Sequence, residues 1–357
     1  MHRVEEQEAL MRTLRLVAPG TSLYEGLENI LRARTGALIL VGDSDQVMKL
    51  VNGGFRINTE LDPASLYELA KMDGALVVSS DARRILIANA HLTPDPMIPT
   101  SETGTRHRTA ERVAAQTDEL VIAISQRRNV ITLYKGQQRY VLREKGTILA
   151  KANQALQTLE RYKIVLQKAL INLSALEFED QVTLAEVSTV IQRAEMVARI
   201  AAEIELYICE LGTEGRLVSM QLEEVLADVE DEGYQVLKDY ATSLDDQQVQ
   251  EARIELSRAM TEDLLDIGFI LRVLGYGIGT SPESTVTARG FRILRRIPRL
   301  PAPVIDNLVR VFGHLQKILA ASTEALDEVE GIGEVRARGI KEGLRRLKEQ
   351  VLLDRHI

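Results

Sequence analysis

Two kinds of hydrophobic spacing divide the chain. Up to about residue 145, helix-like and strand-like patterns alternate. Glu6 to Val17 has helical spacing and stops at Pro19-Gly20; Ser22 to Thr35 repeats it, with Leu23, Leu27, Ile30 and Leu31 on one face. Short β-type runs follow at Ala37–Val41, Ala75–Ser79, Ile85–Ala88, Val121–Ser125 and Val130–Tyr134. Among them, Pro63 to Met72 reads as a helix: Asp62 precedes it, Pro63 suits its first position, and Leu66, Leu69 and Ala70 form a stripe. Helices interleaved with strands predict an α/β domain built on one central mixed sheet, spanning residues 1–145.

From 146 to 287 the β-type runs disappear and no proline occurs until Pro282. Ala155, Leu159, Tyr162, Leu166, Ala169 and Leu170 follow helical spacing, as do Val187, Val190, Ile191, Ala194, Val197 and Ile200. This pattern predicts an all-α linker or spine for spacing and assembly. The acidic patches Glu223-Glu224, Asp228–Glu232 and Asp245-Asp246 read as solvated faces. A small all-α domain is predicted for 288–357, where Leu326 to Ile340 reads as a helix, a Gly331-Ile332-Gly333 turn and a second helix. The glycines permit a tight turn, Ile332 anchors it in a core, and the turn amides face outward. Ile297 to Arg310 could be a degenerate first copy. A purely structural or protein-binding hairpin is the lesser alternative, since the Gly-Ile-Gly match is fairly specific.

Composition is that of an ordinary soluble globular protein, with 45% apolar and 27% charged residues over 357 positions. Runs such as Ala37–Val41 are too short to span a bilayer, and the N-terminus lacks the apolar core of a signal peptide, so a cytoplasmic protein is expected. The single Cys209 excludes an internal disulfide and a multi-cysteine zinc site, and reads as a buried structural thiol. The net charge of −8 is uneven: residues 288–357 carry 14 basic and 9 acidic side chains, leaving the rest strongly acidic. A basic tail on an acidic body points to a polyanion met by the tail alone.

The richest chemistry lies in Glu102-Thr-Gly-Thr-Arg-His-Arg-Thr-Ala-Glu-Arg112, which runs into a helical pattern with Thr105 as the expected N-cap. Free N–H groups and the positive end of a helix, joined by Arg106, His107 and Arg108, suit a polyphosphate. A solvated basic helix start would read the same way. Asp73-Gly74 stands at a predicted helix–strand junction and by itself is only a turn. Ala90–Pro96 reads as a rigid Pro-rich loop, and Ser125-Gln-Arg-Arg128 ends a strand with two more cations. No G-x-G-x-x-G or Walker A pattern is present.

Asp73-Gly-Ala75 followed by Gly104-Thr-Arg-His-Arg108 resembles the diadenylate cyclase domain. With the helical middle and the Gly-Ile-Gly tail, essentially the whole chain resembles the DNA integrity scanning family of bacterial diadenylate cyclases. The resemblance implies that two ATP condense to cyclic di-AMP and two pyrophosphates in facing cyclase domains of a homo-octamer. It implies that Asp73 holds Mg²⁺ or Mn²⁺ and assists the attacking hydroxyl, and that Gly74 lies against the nucleotide. Leu92 matches the adenine pocket, and Thr105, Arg106, His107, Arg108 and Thr109 match the phosphate segment. Ser125, Arg127 and Arg128 are secondary phosphate candidates. Gln126 departs from the family's frequent Ser-Arg-Arg-Arg, so no role carries over to it.

For the tail, the resemblance implies a helix-hairpin-helix gripping DNA phosphates, with Gly331, Ile332, Gly333, Arg336, Arg338 and Lys341 as contacts. Branched DNA or recombination intermediates are the implied partners, which would place the protein at the nucleoid in a DNA-damage checkpoint and repair role. Two other readings follow from the same residues. One is a non-catalytic, nucleotide-responsive DNA-binding scaffold; the other is a different metal-dependent phosphotransfer enzyme or nuclease, which would want clustered carboxylates that the first domain does not offer.

Overall fold

The apolar runs of the first part can pair edge to edge because helices cover both of their faces. The computed structural model describes residues 2–354 apart from 228, 230 and 244, so Asp228 and Glu230 of the expected acidic patch lie outside the described residues. Eight strands form one sheet: β1 (Ala37–Val41), β2 (Val51–Asn52), β3 (Phe55–Glu60), β4 (Ala75–Val78), β5 (Arg84–Leu92), β6 (Leu120–Ser125), β7 (Val130–Lys135) and β8 (Gln138–Val141). The order is β2-β5-β4-β1-β6-β7-β8, with β3 also on β5. Only β1 and β4 run parallel, joined by a crossover; every other pairing is antiparallel, so the sheet is mixed as expected.

Alternation along β1 shows the logic. Ala37, Ile39 and Val41 point into one core with Leu23, Leu27 and Ile30 of α2 (Ser22–Arg32), beside α1 (His2–Leu16) and α4 (Pro63–Leu69). Leu38 and Leu40 point into the other, with Val47 of α3 (Asp45–Leu50) and Ala110, Val113 and Ala114 of α5 (Thr105–Thr117). Asp62 caps α4 as the sequence suggested, accepting from Ala64 N–H at 3.0 Å and Ser65 N–H at 3.1 Å.

Two long helices follow, α6 (Lys145–Glu179) and α7 (Leu184–Leu211). The chain divides into two compact units, 1–154 with 205–220 and 155–204 with 221–357, so the division falls inside these helices. Within the first unit, Glu210 accepts from the Tyr140 hydroxyl at 2.7 Å and from Arg143 N–H at 3.1 Å, tying the sheet's last strand to α7. Cys209 is half-buried rather than buried as expected.

The division also crosses α8 (Arg216–Leu226), and the rest of the second unit is helical: α9 (Glu232–Tyr240), α10 (Asp246–Arg258), α11 (Thr261–Leu265), α12 (Ile267–Val273), α13 (Phe291–Arg295), α14 (Ala302–Phe312), α15 (Leu315–Ala320), α16 (Thr323–Asp327) and α17 (Glu334–Asp354) complete the chain. Its apolar core joins Ala175 and Phe178 of α6 to α13–α17. Beside that core lies a buried polar knot. Arg292 of α13 pairs with Glu177 of α6, donates to Ser174 Oγ at 2.9 Å, and lies 3.6 Å from Glu232. Tyr240 donates its hydroxyl to Glu177 at 2.8 Å. Asp239 accepts the N–H groups of Gly290 and Phe291 at 2.7 Å and of Arg292 at 3.0 Å, capping α13. Burial, joined by the Glu177 charge, pushes the Asp239 carboxyl up to about 7 against those donors.

Candidate functional site

The basic segment begins α5, but its N-cap is Gly104, not Thr105 as expected. Gly104 is extended, with φ −83° and ψ 139°, and provides no side-chain cap. A helix leaves its first N–H groups without intrahelical partners, so the uncapped turn of Thr105, Arg106 and His107 has donors to offer a ligand. The preceding loop is strapped along α5. Asp95 N–H donates to Gln116 at 3.0 Å, Arg112 Nε to Ile98 O at 2.9 Å, and Ser101 N–H to Glu111 at 3.1 Å. That loop begins at Thr93, because Ala90–Leu92 finishes β5 instead of forming the expected Pro-rich turn.

The two motifs meet. Arg106 Nη2 lies 3.7 Å from Asp73 Oδ1, and the Asp73 side chain is otherwise fully exposed. Gly36 leaves room for this pose of Arg106, since a Cβ there would stand 2.4 Å from Arg106 Nη1 and the guanidinium would have to shift. Gly74 is required by its neighbour: its N–H donates to Asn89 Oδ1 at 3.0 Å, and a Cβ would come within 2.5 Å of the Asn89 backbone. Leu92 is buried in the core beneath α5, with its backbone paired to Val51. Thr105 and Arg108 are exposed and Thr109 is half-buried on α5. Arg127 and Arg128 are exposed on the turn after β6, where Ser125 Oγ accepts Arg128 N–H at 3.2 Å. Among the described residues, no three His, Cys, Asp or Glu side chains gather as a metal-binding group.

His107 anchors the inner end of the site. Its Nδ1 lies 2.9 Å from the Tyr134 hydroxyl, which donates to Glu102 Oε1 at 2.8 Å; Arg139 Nε meets the same oxygen at 2.8 Å. His107 Nε2 is buried and has no partner. Burial pushes the imidazole below its usual range, against the pull of Glu102, and the charges of Arg128, Arg139 and Arg106 push the same way. Burial opposes ionisation of Glu102, yet the Tyr134 hydrogen bond and the Arg139 and His107 charges together hold it below the usual carboxylate range. Sequence reasoning assigned nothing to Tyr134, Arg139, Gly36 or Asn89. Tyr134 carries one weak signal: it is a buried, polar-tipped residue on a mostly apolar strand that also holds Thr132 and Lys135.

The second unit holds two hairpins at a constant offset of 32 residues. In the later one, Gly331 has φ +84°, Ile332 is buried, and Ile332 N–H donates to Val329 O at 3.0 Å. In the earlier one, Arg299 takes the same backbone with φ +62°, Leu300 follows it, and Leu300 N–H donates to Ile297 O at 3.4 Å. A cavity of about 950 Å³ between the first turn and α17 is lined by Arg296, Arg299, Gly333, Arg336 and Arg346, among others. Arg336 donates to Gly331 O and Arg338 pairs with Glu334. Lys341 donates to Ala321 O at 2.5 Å and Leu319 O at 3.3 Å, so its ammonium caps α15.

Two family models match this chain: the DisA bacterial checkpoint controller nucleotide-binding region over residues 24–139, and the DisA bacterial checkpoint controller linker region over 142–282. Curated relatives extend the similarity over nearly the full length. The DNA integrity scanning protein DisA of Symbiobacterium thermophilum is 59% identical over 354 residues, covering 99% of this chain and 100% of that one. The proteins of that name from Clostridium kluyveri and Carboxydothermus hydrogenoformans are 55% identical over 352 residues and 58% over 347. They cover 99% and 97% of this chain, and 99% and 98% of their own. Among the described residues, no helix is long and apolar enough to cross a membrane.

Proposed function

Because the chain belongs to the family of DNA integrity scanning proteins, we propose that its first unit houses the cyclase site described above. The chain is a diadenylate cyclase of a bacterial checkpoint family. In the proposed reaction each ribose 3′-oxygen attacks the α-phosphorus of the other ATP, giving cyclic di-AMP and two pyrophosphates. One domain binds one ATP, so two domains face each other, within a homo-octamer. A three-part division at about 145 and 287 goes with this reading, as do a cytoplasmic location at the nucleoid and a DNA-damage role.

The observation that carries the reading is the meeting of Asp73 with Arg106 beside an uncapped helix start. Thr105 to Thr109 bind the phosphates through first-turn amides, hydroxyls and guanidinium groups. Ser125, Arg127 and Arg128 extend that charge, Gly74 lies along the nucleotide, and Leu92 backs the adenine. Members of this family generally use divalent metal ions. The fully exposed Asp73 carboxylate fits Mg²⁺ or Mn²⁺ as a single hard oxygen ligand, with substrate phosphates and water completing the shell. When bound, such an ion neutralises phosphate charge. Asp73 orients the attacking hydroxyl, while Arg106 and the helix start hold the phosphates in line.

The hairpins of the second unit bind DNA phosphates without reading bases, through the Gly331–Gly333 turn, Arg336 and Arg338. Their doubling at one offset supports this, as does the basic tail. Lys341, expected as a further DNA contact, has its ammonium engaged by the carbonyls of Leu319 and Ala321 at the end of α15. Branched DNA slows the cyclase by disturbing how facing domains align.

Two measurements test the proposal. Arg106→Met raises KM for ATP at least about tenfold, consistent with losing one charge-assisted contact; an unchanged KM removes Arg106 from the site. A four-way junction lowers wild-type turnover, and Gly331→Val with Gly333→Val relieves that inhibition while basal turnover persists. Equal rates with and without the junction end the coupling.

A further inference from the structure

The polar chain behind α5 has a direction, and the direction settles which end of His107 is left for a ligand. Tyr134 has one hydroxyl proton, and it goes to Glu102 Oε1. An ionised Glu102 can only accept, and the Arg139 guanidinium on the same oxygen favours that form. The Tyr134 oxygen can therefore meet His107 Nδ1 only as an acceptor, at 2.9 Å. Nδ1 then carries the proton. In the neutral ring that burial favours, Nε2 carries a lone pair, and this is the atom without a partner. Buried polar atoms are almost always satisfied, so an orphan at a binding site asks for a group that arrives later.

We propose that Tyr134 and Glu102 are positioning residues that hold His107 in the Nδ1–H form and reserve Nε2 for the bound nucleotide. The inference rests on the reading that the His107 segment meets ATP, and it adds what the ring can accept. As the neutral tautomer, Nε2 takes a hydrogen-bond donor of the nucleotide or a cation carried with it. A bare phosphate oxygen is accepted only after Nε2 gains a proton, with the positive ring then facing the Glu102 carboxylate through Tyr134. Second partners of this kind fix the tautomer and orientation of functional imidazoles. Arg139 completes the chain from β8, and the Tyr134 and His107 rings pack edge-on with centroids 6.1 Å apart.

The test reads the ring directly. In full-length protein labelled with ¹⁵N at histidine, the His107 resonances, assigned by their loss in His107→Gln, should carry the signature of a protonated Nδ1 and a bare Nε2. Adding ATP with Mg²⁺ should move the Nε2 resonance. Tyr134→Phe removes the acceptor but keeps the volume. It should shift the ring toward the Nε2–H form and raise KM for ATP several-fold, with a smaller change in kcat. Glu102→Gln, on a more exposed residue, should move the ring the same way by less, so the inference stays testable if the buried tyrosine resists replacement. A wild-type ring protonated at Nε2, or an unaltered ring signature in both variants, overturns the inference. A ring that is Nδ1–H but indifferent to ATP, together with an unchanged KM in His107→Gln, keeps the relay and overturns the nucleotide role instead.

Discussion

The proposed nucleotide site of the first unit and the buried knot of the second use the same residue types for opposite ends. In the knot, Arg292 and Glu177 are almost fully buried, and Tyr240, Ser174 and Asp239 satisfy most of what they expose. In the site, Asp73 is fully exposed, its Arg106 partner stands off at 3.7 Å, and His107 Nε2 has nothing to bind. The knot is closed mostly within the chain, although Arg292 Nε and Glu232 Oε2 are buried without a hydrogen-bond partner; the proposed site is left open on its Asp73 side. A buried polar group paired by its own fold is costly to break one partner at a time. One left incomplete costs stability that ligand binding recovers.

Breaking the knot should give the largest change. Glu177→Gln leaves the Arg292 guanidinium buried beside a neutral amide, and unfolding of the second unit should become easier by about 3 kcal/mol, the lower end for a broken buried pair. Chemical denaturation checks this, and a midpoint equal to wild type would mean that water reaches the knot. Arg106→Met, on the open side of the comparison, should leave the same midpoint almost unmoved, because an exposed pair contributes at most about 1 kcal/mol.

The two hairpins sharpen the contrast at a smaller scale. Gly331→Val meets a backbone at φ +84° and a neighbour, Val304 Cγ2, 3.3 Å from the new Cβ. It should cost about 1–2 kcal/mol. Arg299→Gly at φ +62° should cost little or gain slightly, because the strained residue is removed. Equal effects at the two positions would show that the turns are not equivalent.

A further effect is in pH, and its sign differs between the regions. His107 is depressed by burial, so the unfolded chain binds its proton first and stability is lost as pH falls below about 6.5. Asp239 is raised to about 7, so the folded chain holds that proton more tightly, and stability is lost as pH rises from about 4 toward 7. Melting temperatures between pH 5 and 8 should therefore shift in opposite senses on His107→Gln and Asp239→Asn. Parallel shifts would reject one of the two directions.

Most of the first unit was legible because its central strands are apolar on both faces and its helix starts have plain caps; Ala37–Val41 appears at the expected bounds. What escaped lies at the edges. Phe55–Glu60 is almost wholly exposed, so no buried alternation marks it as a strand. Gln138–Val141 and Asp45–Leu50 are too short for a period to register. β5 looked shorter than it is because Asn89, at φ +53°, breaks its alternation just where Gly74 needs its side chain. At the site, the motifs revealed the residues that face outward. Tyr134 and Arg139 lay hidden because they act from behind, through His107 and Glu102, and only the folded sheet brings them there. The earlier hairpin was faint because Arg299 stands where its later counterpart has glycine.

The most direct test of the account is ATP turnover by the purified full-length protein with Mg²⁺ or Mn²⁺, products identified by mass spectrometry, beside Asp73→Asn. The account predicts cyclic di-AMP from the wild type. It predicts at least about a hundredfold loss in the variant, about 2.7 kcal/mol of transition-state stabilisation, with ATP binding and melting temperature retained. Normal turnover by Asp73→Asn, or no cyclic di-AMP from a wild type that binds ATP and assembles, would contradict it.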